Sequence, residues 1–123
     1  MTTVGFNLDD GFDPARVQDF MYHVDRVRAD FSTATGNVLA LTMASRDMQS
    51  GVDGPTFSVW RNNDALRDAV FRPGIHREQL DRYKVEHTAD RTSFTRLSLR
   101  ISAGHWSGVD PFEGQAEGRK AER

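Results

Sequence analysis

The chain predicts an α+β fold with the ferredoxin-like βαββαβ order, a four-stranded antiparallel sheet carrying its helices on one face. Three observations lead there. Residues 17–31 carry a helical apolar stripe, residues 37–45 carry two apolar strand faces, and strand-like and helix-like segments alternate in that order. A strand apolar on both faces needs cover on both sides, so the side of the sheet without helices requires a second layer. A second copy of the chain, sheet against sheet, supplies it, and the expected assembly is a homodimeric α/β barrel. The simpler alternative is a monomeric ferredoxin-like module.

Each element has its own signal. Thr2 to Leu8 mixes β-branched and apolar residues and predicts the first strand. In DDGFDP, Asp13 is placed to cap a helix opened by Pro14. Val17, Phe20, Met21, Val24, Val27 and Phe31 then recur at helical spacing opposite Asp25, Arg26 and Asp30, and this helix is expected to end near STATGN. NVLALTMAS (37–45) predicts a strand, with Val38, Ala40, Thr42 and Ala44 on one face and Leu39, Leu41 and Met43 on the other. MQSGVDGP predicts a loop between antiparallel neighbours, and TFSVW (56–60) the third strand. Asn62 or Asn63 caps a short helix bearing Leu66, Ala69 and Val70, which breaks at Pro73-Gly74.

A further helix sets His76, Leu80, Tyr83 and His87 at i, i+4, i+7 and i+11. SFTRLSLRIS (93–102) predicts the last strand, with Leu97, Leu99 and Ile101 on one face and Phe94, Arg96, Ser98 and Arg100 on the other. One domain is expected over residues 1–113, followed by a disordered charged tail, 114–123.

Composition narrows the function. With 123 residues the chain supports a single core. A net charge of −2 and arginines interleaved with acids (Asp25-Arg26, Arg67-Asp68, Asp81-Arg82) leave no basic footprint for nucleic acid. The absence of cysteine excludes disulfides, thiolate zinc sites and a cysteine nucleophile, and fits a reducing cytoplasm. No apolar run approaches the ~20 residues of a membrane helix, and no basic-then-apolar leader opens the chain. The expectation is a soluble cytoplasmic protein with neither nucleic acid nor membrane as partner. The four histidines lack H-x-H or H-E-x-x-H spacing, and DDGFD lacks the register of a calcium loop. A glycine-rich phosphate cradle and a G-x-S-x-G elbow are also missing.

His76 is the leading chemical candidate. An imidazole titrates near pH ~6.5, so it exchanges protons readily, and its neutral form can ligate iron. Its spacing with Leu80 and Tyr83 aims it at the sheet, where a pocket between sheet and helices is expected. The alternative is a helix-start histidine satisfied by a backbone carbonyl. Trp60 either aims its indole N–H at a substrate oxygen or packs in the core. Arg96, with Arg100 beside it, either holds a carboxylate or enolate oxygen or sits on an exposed edge or in a dimer-spanning salt bridge. Tyr83, Phe57, Phe20, Val24 and Leu80 are expected to line a pocket for a hydrophobic small-molecule substrate. On the first helix His23 is expected at the rim, and His87 and His105 at the surface.

Phe57-Ser58-Val59-Trp60, Leu66 and Phe71-Arg72-Pro73-Gly74-Ile75-His76 form an ordered series. Phe94-Thr95-Arg96-Leu97 and Gly104-His105-Trp106-Ser107-Gly108-Val109-Asp110-Pro111-Phe112 continue it. The series resembles the spheroidene monooxygenase family, with a related strand tryptophan in the antibiotic-biosynthesis monooxygenases. It covers roughly residues 56–112. The polar stretch VEHTADRTS stands where the resemblance leads one to expect an aromatic-rich one, a departure that weighs against a carotenoid substrate and against heme.

What the resemblance implies is a monooxygenase acting on a hydrophobic, oxygenated biosynthetic intermediate. His76 would serve as base, without a cofactor, or as axial ligand if heme is bound. A cofactor-independent cyclase or isomerase of a polyketide-like substrate, moving one proton, is the second expectation. A non-catalytic small-molecule-binding dimer is the third.

Overall fold

The computed structural model describes residues 1–44, 51–99, 103–105, 107–110 and 112. Its elements run β1 (Thr2–Asn7), α1 (Pro14–Thr33), β2 (Asn37–Thr42), β3 (Gly51–Trp60), α2 (Asn63–Phe71), α3 (Ile75–Glu86) and β4 (Arg91–Phe94). The four strands form one antiparallel sheet in the order β2-β3-β1-β4. This is the ferredoxin-like α+β arrangement that the sequence predicts.

Helix starts follow the sequence signals. The Asp13 carboxylate accepts the Ala15 amide at 2.9 Å with Pro14 in the first helical position, and the Asn62 side chain accepts the Ala65 amide at 2.8 Å. The start of α3 has no side-chain cap; Gly74, at φ 151°, turns the chain there in a conformation that favours glycine.

Cross-strand register sorts the side chains onto two faces. Phe6 is buried and meets Phe20 of α1 edge-on, so Thr2, Val4 and Phe6 point toward the helices. Thr56, paired with Thr2, carries Ser58 and Trp60 to that side. Asp53, Pro55, Phe57 and Val59 therefore lie on the opposite, open face, with Leu41 and Leu39 paired beside Phe57 and Val59. That face is divided. Leu39, Leu41, Phe57 and Val59 make its β2–β3 half apolar, whereas Arg91 on its β1–β4 half bonds the Asp53 carboxylate at 2.9 Å and the Asn7 side chain.

Two strand boundaries differ from the sequence reading. β3 begins at Gly51 rather than at Thr56, because residues 51–55 pair with Asn7 to Thr3 of β1 instead of forming a turn. A Cβ at Gly51 would lie 2.7 Å from the Phe6 carbonyl oxygen, and one at Gly54 would sit among Met21 and Phe20. Pro55 lacks an amide donor, yet its carbonyl still accepts the Met43 amide at 2.9 Å.

β4 runs from Arg91 to Phe94 instead of 93–102, since β1 offers no pairing partner beyond Met1, whose backbone exchanges bonds with Thr95. Phe94 pairs with Thr2 and so belongs to the helix-bearing side, not to the open face, and it is 59% exposed. Leu97 and Leu99 of the predicted Leu97–Ile101 face follow β4 outside any strand, with Leu97 exposed, and residues 100–102 lie outside the described residues. The end of the predicted second strand at Ser45 and the tail 114–123 also lie outside them.

Arg16 ties the last strand to the first helix. Its guanidinium donates to the His87 carbonyl and to Asp90, each at 2.7 Å, and lies over the Phe6 ring. It thus closes the C-terminal end of α3, where a cation suits the exposed carbonyls. The Asn7 amide and the Arg16 guanidinium hold the Asp90 carboxyl below the usual carboxylate range. No helix among the described residues is long and apolar enough to cross a membrane.

The turn between α1 and β2 generates a test. Gly36 sits at φ 82°, and a Cβ there would lie 2.6 Å from the Ala65 Cβ at the start of α2. Gly36→Ala is expected to lower unfolding free energy by about 1–3 kcal/mol, read from urea melts. Gly11→Ala, where only the Asp9 carboxylate lies near at 3.4 Å, is expected to stay within about 0.5 kcal/mol of the parent.

Candidate functional site

Aromatic side chains gather where α1, β3 and α3 meet. Phe31, at the end of the α1 stripe, is buried at 8% exposure. Its ring meets Trp60 edge-on at 5.2 Å and the His76 imidazole at 5.1 Å, tilted by 32°. Such pairs add about 0.5–1.5 kcal/mol beyond the area they bury. His76 thus lies against the interior, half-buried on the same α3 face as Leu80 and Tyr83.

The polar atoms of this cluster are largely spoken for. The Trp60 indole N–H donates to the Ser58 hydroxyl at 2.9 Å, so its acceptor is protein rather than a substrate oxygen. His76 Nδ1 lies 3.0 Å from the Val70 carbonyl. A carbonyl only accepts, so Nδ1 carries the proton and Nε2 keeps the lone pair. Burial lowers the His76 pKa from its ordinary value, opposed by the Val70 carbonyl and by the negative charge of Asp30. At neutral pH the ring is therefore a neutral, tautomer-fixed base.

The structure brings some predicted residues together and separates others. Trp60 and His76 share Phe31, while Val24 is buried farther back on α1 and Phe20 packs on Phe6. Phe57 lies on the open face, across the sheet from His76. Arg96 is exposed and donates to the Asn63 side chain at 2.9 Å at the start of α2, so it does not join the cluster. Tyr83 stands edge-on to His87, which ends α3 in the left-handed conformation at the surface. His23 is at the α1–α3 rim, its ring nitrogens facing Asp19 at 3.5 Å and Gln79 at 3.3 Å. His105 is exposed. Trp106 lies outside the described residues.

Beside His76 the described neighbours are packed rings, Phe31 against the imidazole and Trp60 against Phe31. Two open surface hollows among the described residues measure about 410 and 360 Å³. His105, Gly108, Val109 and Asp110 line the first, and Asp64, Arg67, Asp68 and Phe71 the second. Among the described residues no group of three or more His, Asp or Glu side chains could hold a metal ion.

Two participants were placed on α1 by the sequence, but their contacts were not legible in it. Phe31 was legible as core, but not as the ring joining Trp60 to His76. Asp30 falls on the polar side of the α1 stripe, yet its carboxylate meets Arg72 at 3.1 Å beside the α2–α3 corner. Only the packing of α1 against that corner reveals the pair. Scanned against models of known protein families and against curated proteins, the chain matches none.

The lowered His76 pKa gives stability a direction with pH. As pH falls from about 6.5, the unfolded chain takes up its proton before the folded one does, so this contribution is present above that pH and is lost below it. The stability difference between the parent and His76→Gln is therefore expected to shrink as pH drops from 7.5 to about 5. Urea midpoints of the two proteins at matched pH measure it.

Proposed function

We propose that the protein is a cytoplasmic biosynthetic enzyme in which His76 Nε2 removes a proton from a hydrophobic, oxygenated small molecule, with oxygenation of the resulting carbanion as its reaction. The observation that carries this reading is the imidazole itself: neutral, oriented by Phe31, and fixed as the Nδ1–H tautomer by the Val70 carbonyl. The resemblance to the spheroidene and antibiotic-biosynthesis monooxygenases supports the oxygen step.

The chemistry balances without a resident cofactor. Proton loss from a methylene next to carbonyl groups leaves a carbanion, which reduces O₂ to a hydroperoxide on that carbon. Loss of water then yields the ketone, so one O₂ is consumed and its second oxygen leaves as water. The protein needs to supply a base and a dry surface, and His76 at the edge of an aromatic cluster offers both. A cyclase or isomerase would use the same proton removal without consuming O₂.

The active form in this proposal is a homodimer joined through the open sheet face. The apolar half formed by Leu39, Leu41, Phe57 and Val59 supports it, because the helices occupy the other face of the sheet. Sheet-on-sheet packing at about 10 Å would bury these side chains as a second core layer.

Two measurements test these proposals. With hydrophobic 1,3-dicarbonyl compounds as probes, the parent is expected to consume one O₂ per ketone formed, and His76→Gln to lose roughly 10²–10⁴ of that rate. Turnover that survives the substitution overturns the assignment of His76, and product without O₂ uptake makes the enzyme an isomerase or cyclase. Sedimentation is expected to show a dimer for the parent and a monomer for Phe57→Glu; a monomeric parent overturns the dimer.

A further inference from the structure

Of the three helices described, only α3 buries none of its residues; α1 buries Val24 and Phe31, and α2 buries Ala69. α3 lies antiparallel along α1, and past the His76–Phe31 contact the seam between them is polar. Gln79 faces a His23 ring nitrogen at 3.3 Å, Arg82 donates to Asp19 at 2.9 Å, and Arg16 donates to the His87 carbonyl at 2.7 Å. We propose that α3 is a lid: it pivots at Gly74, releases these three contacts, and admits a hydrophobic carbonyl compound between α3 and α1, beside His76. The occupant follows from the reading of His76 as a base; the motion does not depend on it.

Both ends of α3 suit such a motion. Gly74 sits at φ 151°, no side chain caps the helix start, and a Cβ on this glycine would meet open space. Just before it, Arg72 is tied to Asp30 of α1 at 3.1 Å, so the corner itself stays in place. At the far end His87 makes a left-handed bend at φ 47°, and straightening it lends the chain reach. The anchor beyond survives, because Arg16 keeps Asp90 at 2.7 Å and the Asp90 amide keeps the Gly5 carbonyl at 3.0 Å. Displacement grows with distance from the pivot. His76, close to it, retains Phe31 and the Val70 carbonyl, whereas Leu80 and Tyr83 move outward and their inward sides become one wall of the cleft.

The seam opens at little cost. The Asp19 side chain is 50% exposed and that of Arg82 30%, so water takes the place of the lost partner. Arg82 also keeps Glu86 of its own helix at 2.7 Å. The apolar residues on the inward side, Ile75, Leu80 and Tyr83, are only half-buried. Elements with so few buried apolar contacts open below the cost of global unfolding. α1 and β3 lack this freedom: Phe31 is buried, and Trp60 ends a strand paired on both edges.

Hydrogen exchange of the full chain, followed by NMR, reads the opening. The amides of residues 79–86 in α3 are expected to exchange faster than those of β1 and β3. Asp19→Asn is expected to speed them roughly two- to fivefold with the sheet unchanged, and Gln79→Ala acts on the same seam if that variant does not fold. Calorimetry with benzoylacetone, a flat hydrophobic 1,3-dicarbonyl, reads the cleft. Because only the open state binds, the apparent Kd is expected to fall by the same factor by which exchange accelerates. Exchange of α3 no faster than that of the sheet overturns the lid. Accelerated exchange with an unchanged Kd, or with no binding, overturns the cleft. Matched factors together with a fully active His76→Gln keep the lid and remove only the catalytic base.

Discussion

The placement of the Phe31 ring is the contact on which the rest of the architecture depends. It is nearly fully buried, and it touches the last residue of β3 and the second residue of α3 at once. Through it α1 is joined to the sheet and to a helix that leans chiefly on α1 and α2. Without a ring of that size at the end of α1, Trp60 and His76 would each lose their neighbour. An aromatic at this position fills the interior and desolvates the imidazole with the same ring.

That desolvation explains the electronic state of His76. A ring pressed against Phe31 loses water around its charged form, and the Val70 carbonyl takes its one proton. The result is a neutral base whose free nitrogen is known from hydrogen-bond logic alone. A histidine satisfied by a carbonyl and a histidine poised for proton transfer were opposed alternatives at the level of sequence. In the folded chain the two are compatible, because the carbonyl bond engages Nδ1 and leaves Nε2 unprotonated.

The sheet is asymmetric in what it buries. One face receives α1 through Phe6, Phe20, Val24 and Phe31, and the other carries an apolar half beside a polar one. Buried apolar residues are few among those described: Phe6, Val24, Phe31, Ala69 and Ala89. Arg91 lies across β1 toward Asp53, an approach the missing Cβ atoms of Gly5 and Gly51 permit. That polar half is self-satisfied, whereas the Leu41 and Phe57 half has apolar surface as its principal offering.

Local sequence determined the element order, both helix caps, the α1 stripe and the inward phase of α3, because each depends on spacing within about ten residues. Register lay beyond it. Gly51, Gly54 and Pro55 read as a turn in isolation, and only pairing with Asn7, Val4 and Thr3 of β1 makes them a strand. The last strand was placed too late because its length depends on where β1 can pair, 90 residues away in the chain. Phe57 and His76 looked like neighbours around one pocket, yet a strand's alternation sends Phe57 through to the far face. The Asp30–Arg72 pair and the single ring shared by Trp60 and His76 were decided by tertiary structure alone, since long-range contacts arise from packing geometry that no local periodicity encodes.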